Sequence, residues 1–137
     1  MSIYKETHTD HFWRYEFKDF RVSKLSVTSA FGLSLSDGVL EGRLRIEQPY
    51  EFVCGEKKYT CDPHSAASLS PCLSLRWKEL EAIQIFEDGR AEARFSEGLF
   101  LQLRTNDSYE AWQFALLGYV LFISCPGGGV SFFADRE

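Results

Sequence analysis

The sequence predicts a mainly β protein, α+β at most, in which antiparallel hairpins from two duplicated halves pack as a sandwich or a half-open barrel. Three observations predict it. Apolar residues alternate with polar ones along successive short runs, the mark of strands with one face buried. The acidic-glycine pairs Asp37-Gly38, Asp88-Gly89 and Glu97-Gly98 interrupt those runs as hairpin turns, because glycine accepts a positive φ and aspartate tolerates it. Finally, one strand–turn–strand pattern occurs twice. Leu33-Ser-Leu-Ser-Asp-Gly38 matches Ala93-Arg-Phe-Ser-Glu-Gly98 at a spacing of 60, and Leu44-Arg45 and Tyr50-Glu51 match Leu103-Arg104 and Tyr109-Glu110 at a spacing of 59. A hairpin with one apolar face cannot bury that face alone, so two such halves must pack together.

Along the chain, residues 1–10 are polar and are expected to be loose. Phe17, Phe20 and Val22 lead into the alternating Leu25-Ser26-Val27. Phe31, Leu33 and Leu35 then alternate with Gly32, Ser34 and Ser36. Beyond Asp37-Gly38, Leu40, Gly42, Leu44 and Ile46 alternate with Glu41, Arg43, Arg45 and Glu47, giving one apolar and one charged face. Pro49 ends this strand. Tyr50, Phe52 and Cys54 resume the alternation, Gly55-Glu56-Lys57 turns the chain, and Lys58 to Cys61 returns.

Asp62 is a possible N-cap and Pro63 a favourable first helical residue, while Pro71 limits the helix to about two turns. A short helix near residues 63–70 is therefore expected as the joint between halves spanning about 17–62 and 77–133 of one domain. After it, Leu80 to Ile85, Ala91 to Phe95 and Leu99 to Leu103 read as strands. Tyr109 to Leu117 fits either a short helix or a buried strand, which periodicity cannot separate. Two more strands, Tyr119 to Cys125 and Val130 to Phe133, flank Pro126-Gly127-Gly128-Gly129.

Composition bounds the function. The chain has 137 residues, 45% of them hydrophobic and 26% charged, which is enough for a real core and excludes general disorder. A net charge of −5 argues against a nucleic-acid coat or an anionic membrane surface and fits a basic partner. The opening residues lack the apolar run of a secretory signal, and the longest apolar stretch, Phe114 to Cys125, is too short to span a bilayer. A cytoplasmic setting with reduced thiols at Cys54, Cys61, Cys72 and Cys125 is the expectation.

No catalytic set emerges. His8, His11 and His64 sit in no nucleophile motif, and no G-x-S-x-G elbow occurs. Cys54, Cys61, His64 and Cys72 offer a zinc-compatible ligand set, but without a tight knuckle they read as packed strand and loop residues. The Pro126–Gly129 run lacks the Lys-Ser/Thr of a phosphate loop and reads as a turn. Glu79/Glu81 and Asp107/Glu110 read as solvated acids rather than a glycosidase pair. No metal or cofactor is expected.

Glu87-Asp88-Gly89, then Phe95, Gly98 and Leu101, then Tyr109-Glu110-Ala111-Trp112, then Cys125-Pro126-Gly127-Gly128, resemble a group of small bacterial proteins of unknown function with F-x-D-G, Y-E-A-W and P-G-G elements. The resemblance covers Leu73 to Phe133. It departs at Glu97, where an Asp is usual, and at Gly129 and Phe133. It implies no activity and no catalytic residue. By analogy of size, charge and aromatic content, it suggests a non-enzymatic protein-binding module of the immunity type, one that covers the active site of a basic toxin domain. Tyr109, Glu110 and Trp112 are the candidate binding residues, together with the strand-face acids Glu41, Glu47 and Glu92. The alternatives are a small-ligand protein or enzyme with a cavity between the halves, and a self-associating subunit, for instance a homodimer paired through exposed hairpin edges.

Overall fold

The computed structural model describes residues 4–134. Thirteen strands form two antiparallel sheets. They are β1 (Tyr4–His8), β2 (Phe12–Phe17), β3 (Arg21–Val27), β4 (Phe31–Ser36), β5 (Glu41–Ile46), β6 (Tyr50–Cys54), β7 (Lys57–Cys61), β8 (Leu80–Phe86), β9 (Ala91–Phe95), β10 (Leu99–Leu103), β11 (Trp112–Leu116), β12 (Val120–Ser124) and β13 (Val130–Ala134). Sheet A has the order β1-β2-β8-β9-β10-β6-β7 and sheet B the order β13-β12-β11-β5-β4-β3. Neither closes on itself, and the two share one core, as in a sandwich.

The alternation read in the sequence sets which face is buried. Along β5 the residues are exposed and buried in strict turn, and β4, β9, β10, β11 and β12 each bury every second side chain. The inward set from both sheets makes one core, including Phe20, Leu33, Leu44, Phe52, Ile83, Leu101, Phe114 and Phe122. Aromatic rings cross the interface: Phe31 of sheet B stacks on Tyr50 of sheet A at 5.7 Å, and Trp13 meets Phe122 edge-on at 5.4 Å. Such offset and edge contacts add to the area they bury.

The strand order repeats with the sheets exchanged. β3-β4-β5 run consecutively in sheet B and the chain then crosses to sheet A as β6-β7; β8-β9-β10 run consecutively in sheet A and the chain crosses back as β11-β12. β5 pairs with β11 and β10 with β6. Each half therefore supplies strands to both sheets, and neither half owns a layer. The pairing registers are not superposable, however. Leu33 faces Leu44, whereas Ala93 faces Leu101, two residues short of Leu103. A two-residue difference leaves every side chain on its face because the pleat has period two. The Tyr-Glu match fails in space: Tyr50 is buried at the start of β6, while Tyr109 is an exposed residue ahead of β11, because the β10–β11 connection is much longer than that between β5 and β6.

Two expectations are corrected and one open reading is decided. Of residues 1–10, expected to be loose, 4–8 form β1, an edge strand paired with β2 along its length, and 1–3 lie outside the described residues. Its side of the sandwich is held by Tyr4, which packs on Tyr15 and Phe17 and meets Tyr119 of the β11–β12 turn at 5.8 Å. The segment 109–117 forms no helix. Trp112–Leu116 is a central strand, because both its neighbours, β5 and β12, offer backbone partners and its alternate residues fill the core. The joint helix begins later than expected and is of the 3-10 type, Ala66–Leu75, with Pro71 inside it. Asp62 caps no helix; its carboxylate accepts the His64 amide at 2.9 Å and its backbone binds Ser68 Oγ.

The turn glycines differ in what surrounds them. Gly89 has φ +101, and a Cβ there would lie 2.6 Å from Thr105 Cγ2 and 2.8 Å from the Gly129 carbonyl oxygen. Gly55 also has a positive φ, +65, but with open space around it. Gly89→Ala should therefore cost at least about 2 kcal/mol of unfolding free energy in urea, and Gly55→Ala about 1 kcal/mol. Equal losses would show that backbone strain alone, and not the close approach of the β12–β13 loop, fixes Gly89.

Candidate functional site

The three motif elements of the second half meet at one end of the sandwich. The Asp88-Gly89 turn joins β8 to β9 in sheet A. The Gly89 carbonyl accepts the Trp112 indole N–H at 2.9 Å and the Ser124 hydroxyl at 3.3 Å, both from sheet B. The Gly129 amide donates to the Asp88 carbonyl at 2.8 Å, and the Gly127 amide to the Asn106 carbonyl at 2.8 Å. Gln48, buried in the β5–β6 connection, donates to the carbonyls of Arg104 and Thr105 at 2.6 and 2.9 Å and accepts from Asn106 Nδ2 at 3.0 Å. These polar groups are spent on other parts of the chain. The corner is the structural closure of the fold, and the exposed Asp88 carboxylate of its turn is held by Arg90.

The predicted trio divides accordingly. Trp112 is fully buried with its N–H satisfied, so it is a core residue. Tyr109 is exposed, and the Glu110 carboxylate accepts from Gln113 Nε2 at 3.3 Å on the surface. The predicted acids do not assemble either. Glu41 and Glu47 flank β5 on the outside of sheet B, and Glu47 is engaged by Arg45 at 3.5 Å. Glu92 lies on the outside of sheet A, opposite Gln84 and Gln102. The structure does not gather these groups into one acidic surface.

The cysteines and His64 also separate. Cys61 and Cys72 are buried with their sulfurs 3.6 Å apart, and the Tyr50 hydroxyl lies 3.2 Å from Cys72 Sγ. Cys54 is exposed at the other end of the β6–β7 hairpin, where it pairs with Lys57, and His64 faces Asp62 at the surface. Among the described residues no three potential metal ligands converge. Burial pushes the Cys72 thiol up to about 12, and burial together with the neighbouring thiols raises the Tyr50 hydroxyl.

The feature that sequence reasoning missed lies on the outer face of sheet B. The strand registers align two rows of side chains across it. One runs Lys24, Ser34, Arg43, Ala115, Leu121, Phe133 and the other Ser26, Gly32, Arg45, Gln113, Ile123, Ser131. A groove of about 550 Å³ opens over the β3–β4–β5–β11 part of these rows, lined by Lys24, Ser26, Ser34, Arg43, Arg45 and Gln113 and by the apolar Ala115, Leu117 and Leu121. Its floor is low because the residues between the cations are small. At Gly32 the Ser26 hydroxyl lies 2.5 Å from where a Cβ would sit, so even alanine there would displace it. Arg43 and Lys24 enter no ion pair among the described residues. Alternation already put Arg43 and Arg45 on the polar face of β5. The bulge between Val22 and Lys24, which sets the register of β3, is what brings Lys24 into line with them.

An antiparallel β-sandwich is an architecture shared by many unrelated proteins. Within it, the chain belongs to DUF6188, a family of unknown function whose model matches residues 13–134. The match spans both halves, beyond the Leu73–Phe133 stretch that carried the sequence resemblance. No curated protein and no solved structure matches the chain.

The buried thiol beside Tyr50 has a consequence at alkaline pH. A thiol whose folded pKa lies above its unfolded value, near 8.5–9, supports the fold below that range and withdraws its support as pH rises. Between about pH 9 and 12 the Cys72 titration should lower the unfolding free energy by up to about 1.4 kcal/mol per pH unit. Cys72→Ser, which keeps a polar contact for Tyr50, should show a shallower alkaline slope in urea unfolding. An unchanged slope would remove Cys72 as its source.

Proposed function

We propose that the chain is a non-enzymatic binding module whose working surface is the outer face of sheet B, and that its ligand carries negative charge. One observation carries this reading: Lys24 and Arg43, without acidic partners among the described residues, flank Ser34 on adjacent strands, with Arg45 one row away, over a groove of about 550 Å³. Neighbouring strands lie about 4.8 Å apart, so cations on either side of one small residue sit about 10 Å apart, within reach of one anionic ligand. The volume falls in the range of sites that hold small ligands. Hydroxyls of Ser26, Ser34 and Thr28 and the Gln113 amide supply further donors around the cations.

This reading moves the ligand away from a cavity between the halves, which is filled by core side chains. It also reverses the charge of the expected partner. The chain is acidic as a whole, but at physiological ionic strength charges more than about 8 Å apart are largely screened, so the local cations decide what docks here. The acids that suggested a basic toxin domain stand on two opposite faces. The immunity-type role therefore has no geometric support of its own.

An acidic protein should ignore a polyanion unless it has a local basic site. At low salt the wild-type protein should be retained on a heparin matrix and released by added salt. Lys24→Glu/Arg43→Glu should pass straight through, with unchanged circular dichroism and melting temperature. Absence of wild-type retention, or equal retention of the variant, would overturn the reading.

A further inference from the structure

The groove is charged at one end only. The row that passes through it runs on beyond it to β13, as cation, hydroxyl, cation, small, aliphatic, aromatic: Lys24, Ser34, Arg43, Ala115, Leu121, Phe133. Just past the end of β11, Leu117 is exposed and lines the groove with Leu121. Phe133 is 56% exposed, although a phenyl ring gains by leaving water. Beyond Arg43, no charged side chain interrupts the row as far as Phe133. A surface that places two cations at one end of a line and an aliphatic–aromatic strip at the other matches a ligand built the same way.

We infer that the ligand is a single free anionic amphiphile lying across the strands of sheet B, its carboxylate or phosphate on Lys24 and Arg43 and its apolar body over Ala115, Leu117, Leu121 and Phe133. This rests on the anion-binding reading above and deepens it. Row geometry sets the scale: Arg43 and Phe133 are three strand spacings apart, about 14 Å, a span suited to a medium-length chain. Apolar burial supplies affinity that a bare anion cannot obtain on an exposed sheet. The cations fix which end goes where. Of the β5 acids, Glu47 is held by Arg45, and Glu41 lies one row from Arg43, beside Leu117 at the border of the path.

Isothermal titration tests the inference with four probes: laurate below its micelle concentration, acetate, inorganic phosphate, and the uncharged dodecyl maltoside. Laurate should bind one to one and at least about a hundredfold more tightly than acetate. Dodecyl maltoside should bind at least about tenfold more weakly than laurate. Leu121→Ser/Phe133→Ser should weaken laurate about tenfold and leave heparin retention unchanged, whereas Lys24→Glu/Arg43→Glu should abolish both. Because Phe133 and Leu121 face outward, the serine variant should keep the wild-type melting temperature within a few degrees; if it unfolds, Phe133→Ser alone gives the comparison. Acetate or phosphate binding as tightly as laurate would overturn the amphiphile and leave the anion site standing. Flotation with phosphatidylglycerol vesicles but no binding of free laurate would also overturn it, in favour of a lipid surface. Failure of every anion, heparin included, would bring down the underlying reading as well.

Discussion

The Gly89 carbonyl is the contact on which the rest of the arrangement depends. It lies in a turn of sheet A and accepts two hydrogen bonds from sheet B, from the Trp112 indole and the Ser124 hydroxyl. A buried indole N–H without an acceptor would cost more than a typical hydrogen bond contributes, so the ring and the turn are coupled. The coupling requires a backbone with φ +101 and no Cβ at Gly89, and it requires the β12–β13 loop to approach within the space a Cβ would occupy. Aspartate-glycine in the turn, tryptophan opening β11 and the glycine run after β12 are thus one device. The residues that carry the resemblance to a family pattern thus close the fold.

That closure explains how an exchanged-strand topology can be stable. Each half sends its first three strands into one sheet and its next pair into the other, so the central pairings β5–β11 and β10–β6 join the halves in both layers. Neither half can be withdrawn without opening both sheets. The outer faces are left free of this duty. On sheet A part of the outer face is self-satisfied: Arg104 and Thr60 hold the Glu51 carboxylate, Arg14 donates to Gln84, and Arg94 lies over the Phe100 ring, while Glu92 stands between the uncharged Gln84 and Gln102. On sheet B the equivalent positions hold Lys24 and Arg43, with no acid engaging either among the described residues. The proposed site rests on that row of sheet B, where two cations stand together without an acid.

Much of the fold was legible because period-two alternation and acidic-glycine turns act locally. The hairpins β4–β5, β8–β9 and β9–β10 turn where Asp37-Gly38, Asp88-Gly89 and Glu97-Gly98 stand. Glu97 even takes φ 64 where an Asp would be more at ease, and its carboxylate binds Lys78 at 3.0 Å. What was not legible depends on contacts far apart in the chain. The polar strand Tyr4–His8 is ordered by pairing with β2 and by Tyr119 more than a hundred residues away. Trp112–Leu116 is a strand because β5 and β12 surround it, whatever its own periodicity. The groove was the least visible of all. Its residues come from β3, β4, β5, β11 and β12, and only the registers between those strands line them up.

The same reasoning shows why the acids misled. Glu41, Arg43, Arg45 and Glu47 alternate on one strand face with balanced charge, so β5 alone has no electrostatic preference. The balance breaks across the sheet, in the direction that a sequence cannot display. Arg45 is neutralised by Glu47, while Arg43 is joined through Ser34 by Lys24 on one side and by Ala115 and Leu121 on the other. A field built along a cross-strand row acts over one or two strand spacings, where screening is weakest, and it is little affected by the net charge of −5 spread over the rest of the surface. The polarity of that row, cationic at β3–β5 and apolar at β12–β13, is the property on which the proposed amphiphile site rests.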